Sequence, residues 1–379
     1  MRPIAIVAGD FRRGGGMDAA NFHLALHLAR EGHEVHAIGY HVAEELARLP
    51  QVTVHAVPRP LGSYTLGRSF LDSVGRREAA RAAGRGGRAV VNGGNCAFPD
   101  VNWVHYVHAA WRPRTEPRLL TRLKRGVQQQ SALWSERRAL PQARLVIANS
   151  ERTRVDLLER LGIPPSRIRT VYCGVEPERF RPPTGEERQR ARARLGLPSD
   201  VPVVAFVGAL GDRRKGFDTV YAAWRELCRR AGFEAVLVVA GGGGELPRWR
   251  ERAREDGLED RVRLVGYVQD VPGLLWAANA LLAPSRYEPF GVAVLEGLCC
   301  GLPAWVSREA GVAERYSVEL AEFLLSDPED AGGLAERIRG WYEAPARHER
   351  AARALSDTLR AHTWDEMARQ LSACLEGEG

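Results

Sequence analysis

Short apolar runs rich in β-branched residues alternate along the chain with longer stretches whose apolar positions recur at helical spacing. The first half reads IAIVAG (4–9), an amphipathic stretch from Asp18 to Arg30, EVHAIG (34–39), VTVHAV (52–57), RAVVN (88–92), VNWVHYV (101–107), RLVIAN (144–149) and IRTVYC (168–173). Strand runs separated by helical patterns predict parallel strands joined by crossover helices. The pattern breaks over RFRPPTGEERQRARARLGLPSD (179–200), where prolines, a glycine and a charge run predict an inter-domain connection. It restarts with VPVVAFVG (201–208), AVLVVAG (235–241), RVRLVGYV (261–268), ALLAP (280–284) and PAWVS (303–307), and the tail from Ala346 to Glu376 is helical again. The expectation is an α/β protein of two doubly wound domains, residues 1–180 and 181–350. A final helix, 351–379, is expected to pack back towards the first domain. In such sheets ligands sit beyond the carboxyl ends of the strands, so two such domains are expected to face each other across a cleft.

A chain of 379 residues exceeds one typical core, which agrees with two domains. Hydrophobic content of 45% with 27% charge belongs to a globular rather than a disordered chain. No run of 18 apolar residues exists, and the apolar stretch in MRPIAIVAGD is too short for a signal peptide. The six cysteines show no metal spacing, so a reduced, cytoplasmic protein is expected. Charge is uneven, with 27 Lys+Arg against 16 Asp+Glu in residues 1–180. Eight of those cations fall between Arg112 and Arg138, against Glu116 and Glu136 alone. That excess fits an anionic partner such as the inner face of a membrane, and it fits equally a solvated helix face. No recognition motif or aromatic interleaving accompanies it, so nucleic acid is not expected.

The candidate chemistry concentrates in four places. Of the 54 basic residues only Lys124 and Lys215 are lysines, and Lys215 stands in GDRRKGFD (211–218) beside Arg213 and Arg214. A lysine is a compact point charge that enters a tight phosphate site, and a cation at a helix start is unfavourable without an anion nearby. In PSRYEPFGVAVLEGLCCG (284–301), Glu288 precedes a helix opened by Phe290, Gly291 and Val292 that contains Glu296. Free amides at that start suit a phosphate or a sugar hydroxyl, and the two carboxylates suit vicinal hydroxyls; a helix cap and a surface ion pair are the plainer alternative. GDFRRGGGMD (9–18) puts Gly15 and Gly16 between a strand and a helix, without the spacing of a nicotinamide site. VNWVHYVHAAW ends a strand with His105 and His108, three apart and so on opposite faces. No Ser-His-Asp set and no His/Cys metal cluster is visible, so neither a metal nor a cofactor is expected.

The segment PSRYEPFGVAVLEGLCCGLPAWVSREAGVAE resembles the signature of the family-4 retaining glycosyltransferases of the GT-B fold. GGGMDAANFHLALHLAREGHEV, VIANSERTRVDLL, VYCGVEPERFRP, FVGALGDRRKGFD and RVRLVGYVQDVPGLLWAANALLAPS agree in the same order, so the resemblance covers most of the chain. It implies two Rossmann-like domains, the second binding a nucleotide-diphosphate sugar (UDP-, GDP- or ADP-linked) as co-substrate and the first a hydroxyl acceptor: a glycan, a lipid-linked sugar or a small molecule. It implies catalytic roles for His108, Lys215 and Glu288. Glu296 would hold the donor ribose, Phe290, Gly291 and Val292 the sugar and diphosphate, Gly266 and Val268 the base, and Gly15 and Gly16 the donor phosphate. The family's arginine after Gly208 is Ala209 here, which leaves Arg213 or Arg214 to supply the second charge. A nucleotide-sugar epimerase on the same fold and a non-catalytic nucleotide-sugar-binding protein are the alternatives.

Overall fold

The computed structural model describes residues 2–113, 119–211 and 213–377, with the side chains of 119–124 not described. The chain divides into two units, one holding residues 2–112, 119–174 and 363–377, the other Val175–His362.

The first unit opens with β1 (Pro3–Val7), β2 (Asp10–Phe11), α1 (Gly16–Arg30), β3 (Glu34–Gly39), β4 (His41–Val42), α2 (Glu44–Ala47) and β5 (Val52–Ala56). It continues with α3 (Tyr64–Gly84), β6 (Arg88–Asn92), β7 (Val101–Val104), α4 (Leu119–Ala139), β8 (Leu145–Ala148), α5 (Glu151–Leu161) and β9 (Ile168–Thr170). Seven strands form one parallel sheet in the order β5-β3-β1-β6-β7-β8-β9, while β2 and β4 pair separately. β1 is buried along its whole length, as a strand covered by helices on both faces must be, and for that reason it reads as an apolar run without alternation. Val7, Ile38, Leu71 and Val91 make one core cluster of the unit and Val104, Leu140, Val146 and Leu157 another.

The second unit runs α6 (Gly185–Arg194), β10 (Val203–Val207), α7 (Phe217–Cys228), β11 (Val236–Ala240), α8 (Leu246–Glu255), β12 (Val262–Gly266) and α9 (Val271–Ala277). There follow β13 (Ala280–Ala283), α10 (Val292–Cys299), β14 (Ala304–Ser307), β15 (Leu324–Leu325), α11 (Ala331–Glu343) and α12 (Pro345–Arg360). Its sheet is also wholly parallel, in the order β12-β11-β10-β13-β14-β15. The last helix, α13 (Trp364–Glu376), belongs to the first unit and packs on α1, stacking Trp364 against His23 with ring centres 5.2 Å apart.

Three details depart from the sequence reading. The division falls between Gly174 and Val175 rather than at 180. The supposed connection 179–200 contains α6, a capped helix of the second unit, begun by Thr184 and Glu187 bonding each other's backbone amides. Its charge run is not solvated throughout. Arg192 is 5% exposed and donates to the carbonyls of Ser199 (2.7 Å), Val201 (3.1 Å) and Ala277 (3.0 Å). The tail is two helices, α12 in the second unit and α13 in the first, separated by the Ala361–Thr363 link.

Candidate functional site

In the second unit β10 and β13 are neighbours, yet the chain first travels out to β11 and β12 and only then returns to β13. The loops after β10 and β13 therefore leave the sheet side by side at its topological switch point, where doubly wound sheets hold ligands. Lys215 stands in the first loop and Glu288 in the second, and Lys215 Nζ donates to Glu288 Oε2. Arg214 Nη1 lies 3.9 Å from Glu288 Oε1 and donates to the Tyr287 carbonyl at 3.0 Å. Ser285 Oγ is 3.5 Å from the same carboxylate. Burial opposes ionisation of Glu288, but the charges of Lys215 and Arg214 and the hydrogen bonds from Lys215 and Ser285 outweigh it and hold its pKa below the usual carboxylate range.

The loop after β10 is built to deliver that ammonium. Gly216 ends it in the left-handed region at φ 73°, and a Cβ there would sit 1.9 Å from the Pro284 carbonyl oxygen. Only glycine lets the two loops touch. Arg286, with a side chain 6% exposed, binds Asp218 at 2.7 and 2.9 Å, the Arg213 carbonyl at 2.6 Å and Glu329 at 2.7 Å, and its amide donates to the Arg214 carbonyl at 2.8 Å. Arg213 is itself paired with Asp218. Of the two arginines considered in place of the one missing at Ala209, Arg214 stands against Glu288 and Arg213 is committed to Asp218.

The loop after β13 turns into α10 through Gly291 at φ 110°. The Gly311 and Val312 amides donate to the carbonyls of Glu288 (3.1 Å) and Phe290 (2.7 Å), fixing the turn from its far side. The first amides of α10, beginning with Val292, lack an intrahelical carbonyl and carry the positive end of the helix dipole. Glu296 lies on α10 one turn in, half-buried, with its carboxyl pushed up to about 8 by burial; Arg179 pulls it down and Glu176 pushes it up. The two carboxyls that flank the helix start are thus held in opposite protonation states near neutral pH. Gly266 and Val268 lie at the carboxyl end of the edge strand β12, where the Gly266 carbonyl accepts the Gly241 amide at 2.8 Å.

In the first unit, Gly15 caps α1 at φ 89°, in open space, and its carbonyl accepts the Ala19 amide at 2.8 Å. His108 requires a correction. β7 ends at Val104, so neither His105 nor His108 is in a strand, and the opposite-faces argument does not apply. His108 opens a short 3₁₀ turn, 108–110, held by Glu136, which is 1% exposed and accepts the amides of His108 (2.8 Å) and Ala109 (3.0 Å). Gln129 holds the same turn by donating to the His108 and Trp111 carbonyls at 2.9 and 3.1 Å. Burial, and secondarily the charge of Arg68, push the His108 imidazole down to about 4, so it is neutral at physiological pH. Burial pushes Glu136 up to about 7 against the pull of the two amides.

Glu136, Asp218 and Arg286 were not singled out in the sequence. Asp218 in the first turn of α7 carries a weak signal, since an acid suits that position. Nothing in the spacing announces Arg286. In the Arg112–Arg138 segment, Arg114 and Arg118 and the side chains of Arg122 and Lys124 lie outside the described residues. Arg138 is paired with Asp72 at 3.0 Å, while Arg112 and Arg137 are exposed. Among the described residues no group of three or more His, Cys, Asp or Glu could hold a metal ion, and no helix is long and apolar enough to cross a membrane.

Residues 14–179 match the family described as Glycosyltransferase Family 4, and residues 187–356 match Glycosyl transferases group 1. The chain belongs to the family-4 glycosyltransferases of the GT-B fold. It is 28% identical over 393 aligned residues to D-inositol 3-phosphate glycosyltransferase of Salinispora tropica, a match covering 94% of this chain and 80% of that protein. Mannosylfructose-phosphate synthase of Agrobacterium fabrum is 32% identical over 237 residues, 58% of this chain and 50% of that protein, so the match spans about half the length of this relative. The solved structure of Anabaena Alr3699/HepE in complex with UDP-glucose aligns with a TM-score of 0.75 at 18% identity, covering the whole of both chains.

Proposed function

We propose that the protein is a retaining, metal-independent hexosyltransferase that moves a sugar from a UDP-, GDP- or ADP-sugar to a hydroxyl acceptor. The observation that carries this reading is the pairing of Lys215 with Glu288 at the switch point between β10 and β13, beside the open start of α10. The relatives named above are transferases and synthases, and a structural neighbour binds UDP-glucose, which favours transfer over isomerisation or binding alone.

The chemistry follows from charge. As the glycosidic bond of the donor lengthens, negative charge gathers on the departing diphosphate, and fixed positive groups aimed at it lower the barrier. Lys215 and Arg214 supply that charge, and the amides of Gly291 and Val292 add the helix dipole. The donor exchanges one partner of Lys215 for another: the ammonium turns to the diphosphate while Glu288 accepts hydroxyls of the sugar. Glu296 accepts the vicinal hydroxyls of the ribose, and the backbone at Gly266 and Val268 lies along the base. The acceptor oxygen then bonds to the anomeric carbon on the face the leaving group departs, and its proton passes to an oxygen of the diphosphate. No step needs a carboxylate nucleophile. In the first unit the neutral His108 imidazole and the Gly15–Gly16 amides offer hydrogen bonds without adding charge.

The same reading has the enzyme in the cytoplasm and touching an anionic membrane through Arg112 to Arg138. Sedimentation with anionic vesicles at low salt tests that contact, and protein left in the supernatant removes it. For the reaction, purified protein is supplied in turn with UDP-, GDP- and ADP-sugars and a panel of hydroxyl acceptors. One nucleotide class should release its diphosphate only with acceptor, and proton NMR should show the donor's anomeric configuration kept in the product. Release of an isomerised sugar without acceptor, or an inverted product, refutes the proposal.

A further inference from the structure

The first unit contains a cavity of about 250 Å³ between α3 and α4, lined by hydroxyls, two arginines and one carboxylate, Asp72, which is already taken by Arg138 and the Ala97 amide. Thr65, Ser69, Ser131 and Ser135 line it with hydroxyls, and Arg68 enters it from α3. Arg68 Nη1 donates to Ser131 Oγ at 3.0 Å and to Ser135 Oγ at 3.1 Å. Among the described residues no carboxylate lies within ion-pairing distance of Arg68, and its Nε and Nη2 have no partner. The other cation of the cavity, Arg138, is satisfied by Asp72 at 3.0 Å and lies over the ring of Trp134 at 5.4 Å. Arg68 is held in place from behind. Its neighbour Gly67 packs so tightly on Tyr40 that a Cβ would come 2.7 Å from the tyrosine ring.

A half-buried guanidinium without a counter-ion is costly, because the site gives up part of the water that would solvate the charge and returns only two neutral hydroxyls. Burial lowers the pKa of Arg68, with Tyr40 pulling the other way, and its charge in turn bears on His108. An anion would complete the cavity. The Ser135 hydroxyl donates to the Ser131 carbonyl at 2.9 Å, which leaves the hydroxyls of Thr65, Ser69 and Ser131. With a planar fork of N–H groups, they match the three peripheral oxygens of a phosphate monoester better than the two of a carboxylate. Trp134, 64% exposed, offers a flat apolar wall for the body of the same ligand.

We propose that this cavity binds the phosphate group of a phosphorylated acceptor, with Arg68 as its principal cation. That the ligand is the acceptor rests on the transferase reading; that the cavity binds phosphate does not. The phosphate can belong to a soluble sugar phosphate or to a lipid headgroup, and the test separates them. Inorganic phosphate and glucose 6-phosphate are titrated into the full chain, with binding read by calorimetry and by thermal shift. In parallel the chain is sedimented with vesicles of phosphatidylcholine alone or with phosphatidic acid added. The variants are Arg68→Gln, Arg68→Lys, and Arg76→Ala as a control for net charge on the same helix. Nucleoside diphosphate binding to each variant reports on folding and on the donor site separately.

Soluble phosphates should bind the native chain and Arg76→Ala alike. They should bind Arg68→Gln at least tenfold more weakly, with Arg68→Lys between, and nucleotide binding should stay within twofold throughout. Binding only to vesicles carrying phosphatidic acid, lost in Arg68→Gln, also supports the proposal and identifies a lipid headgroup. Phosphate and vesicle binding that is undetectable in the native chain, or that survives in Arg68→Gln, overturns it. A chain that binds phosphate through Arg68 but no nucleotide leaves this cavity standing and removes the transferase reading instead.

Discussion

Replacing Lys215 with alanine separates structural from chemical roles at the switch point. The native pair is nearly dry, with Lys215 and Glu288 side chains 18% and 10% exposed. Removing one partner of such a pair costs about 3–5 kcal/mol, because the other charge stays buried and unpaired. Arg214 remains 3.9 Å from Glu288 and Ser285 3.5 Å away, so the lower end, about 3 kcal/mol, applies here. For a unit of this size that lowers the melting temperature of the second unit by roughly 6–12 °C. Turnover should fall further than stability implies. Losing a fixed positive group that stabilises developing charge costs about 10²–10³ in kcat.

The double variant Lys215→Ala/Glu288→Gln distinguishes the two effects. Removing both charges should restore most of the melting temperature, whereas turnover should remain low. The pH dependence adds a signed check. Because the folded-state pKa of Glu288 lies below its ordinary value of 4.5, the pair stabilises the fold above that value. That contribution is lost as pH falls through the depressed pKa, so the native unit should weaken on acidification more than Lys215→Ala does. The assay is differential scanning calorimetry beside steady-state kinetics. A Lys215→Ala protein that melts lower but keeps native turnover would make the pair structural only, with no part in stabilising the leaving group.

Two further outcomes are expected. Gly216→Ala should destabilise the second unit by more than about 3 kcal/mol and abolish donor binding, since a methyl group cannot sit 1.9 Å from the Pro284 oxygen and the φ of 73° is unfavourable for alanine; a chemical melt within 1 kcal/mol of native would contradict this. Glu296, with a folded-state pKa near 8 against 4.5 ordinarily, contributes stability at low pH that is lost as pH rises towards 8; ribose hydroxyls favour its carboxylate, so nucleotide binding should tighten from pH 7 to 9 and release a proton, seen by calorimetry in buffers of differing ionisation heat, and Glu296→Gln should abolish both trends.

Much of the architecture was legible because buried parallel strands announce themselves as apolar runs between helical patterns. β10, β11 and β13 fall within the runs that predicted them, and β1 begins one residue before its run. Where a polar or aromatic residue continues an extended pattern, the strand end is invisible: HYV after Val104 reads as strand, but the Glu136 carboxylate draws the chain into a turn. α6 was missed because the prolines that flank it and its own run of charges mimic a linker, while the buried contacts of Arg192 that fasten it are tertiary. At the site, Lys215 stood out by composition and Glu288 and Glu296 by motif. The choice between Arg213 and Arg214 could not be read, because it depends on which guanidinium Asp218 takes. Arg68 was equally hidden. Its significance is that, among the described residues, no carboxylate pairs with it, the nearby Asp72 being taken by Arg138, and the sequence alone cannot display that.

The most direct test of the donor site is a crystal structure of the chain grown with its nucleoside diphosphate. The diphosphate is expected at the carboxyl ends of β10 and β13, within hydrogen-bonding distance of Lys215 Nζ and the Val292 amide, with Lys215 turned from Glu288 and Glu296 on the ribose. A nucleotide bound elsewhere, with Lys215 still paired to Glu288, would contradict this placement.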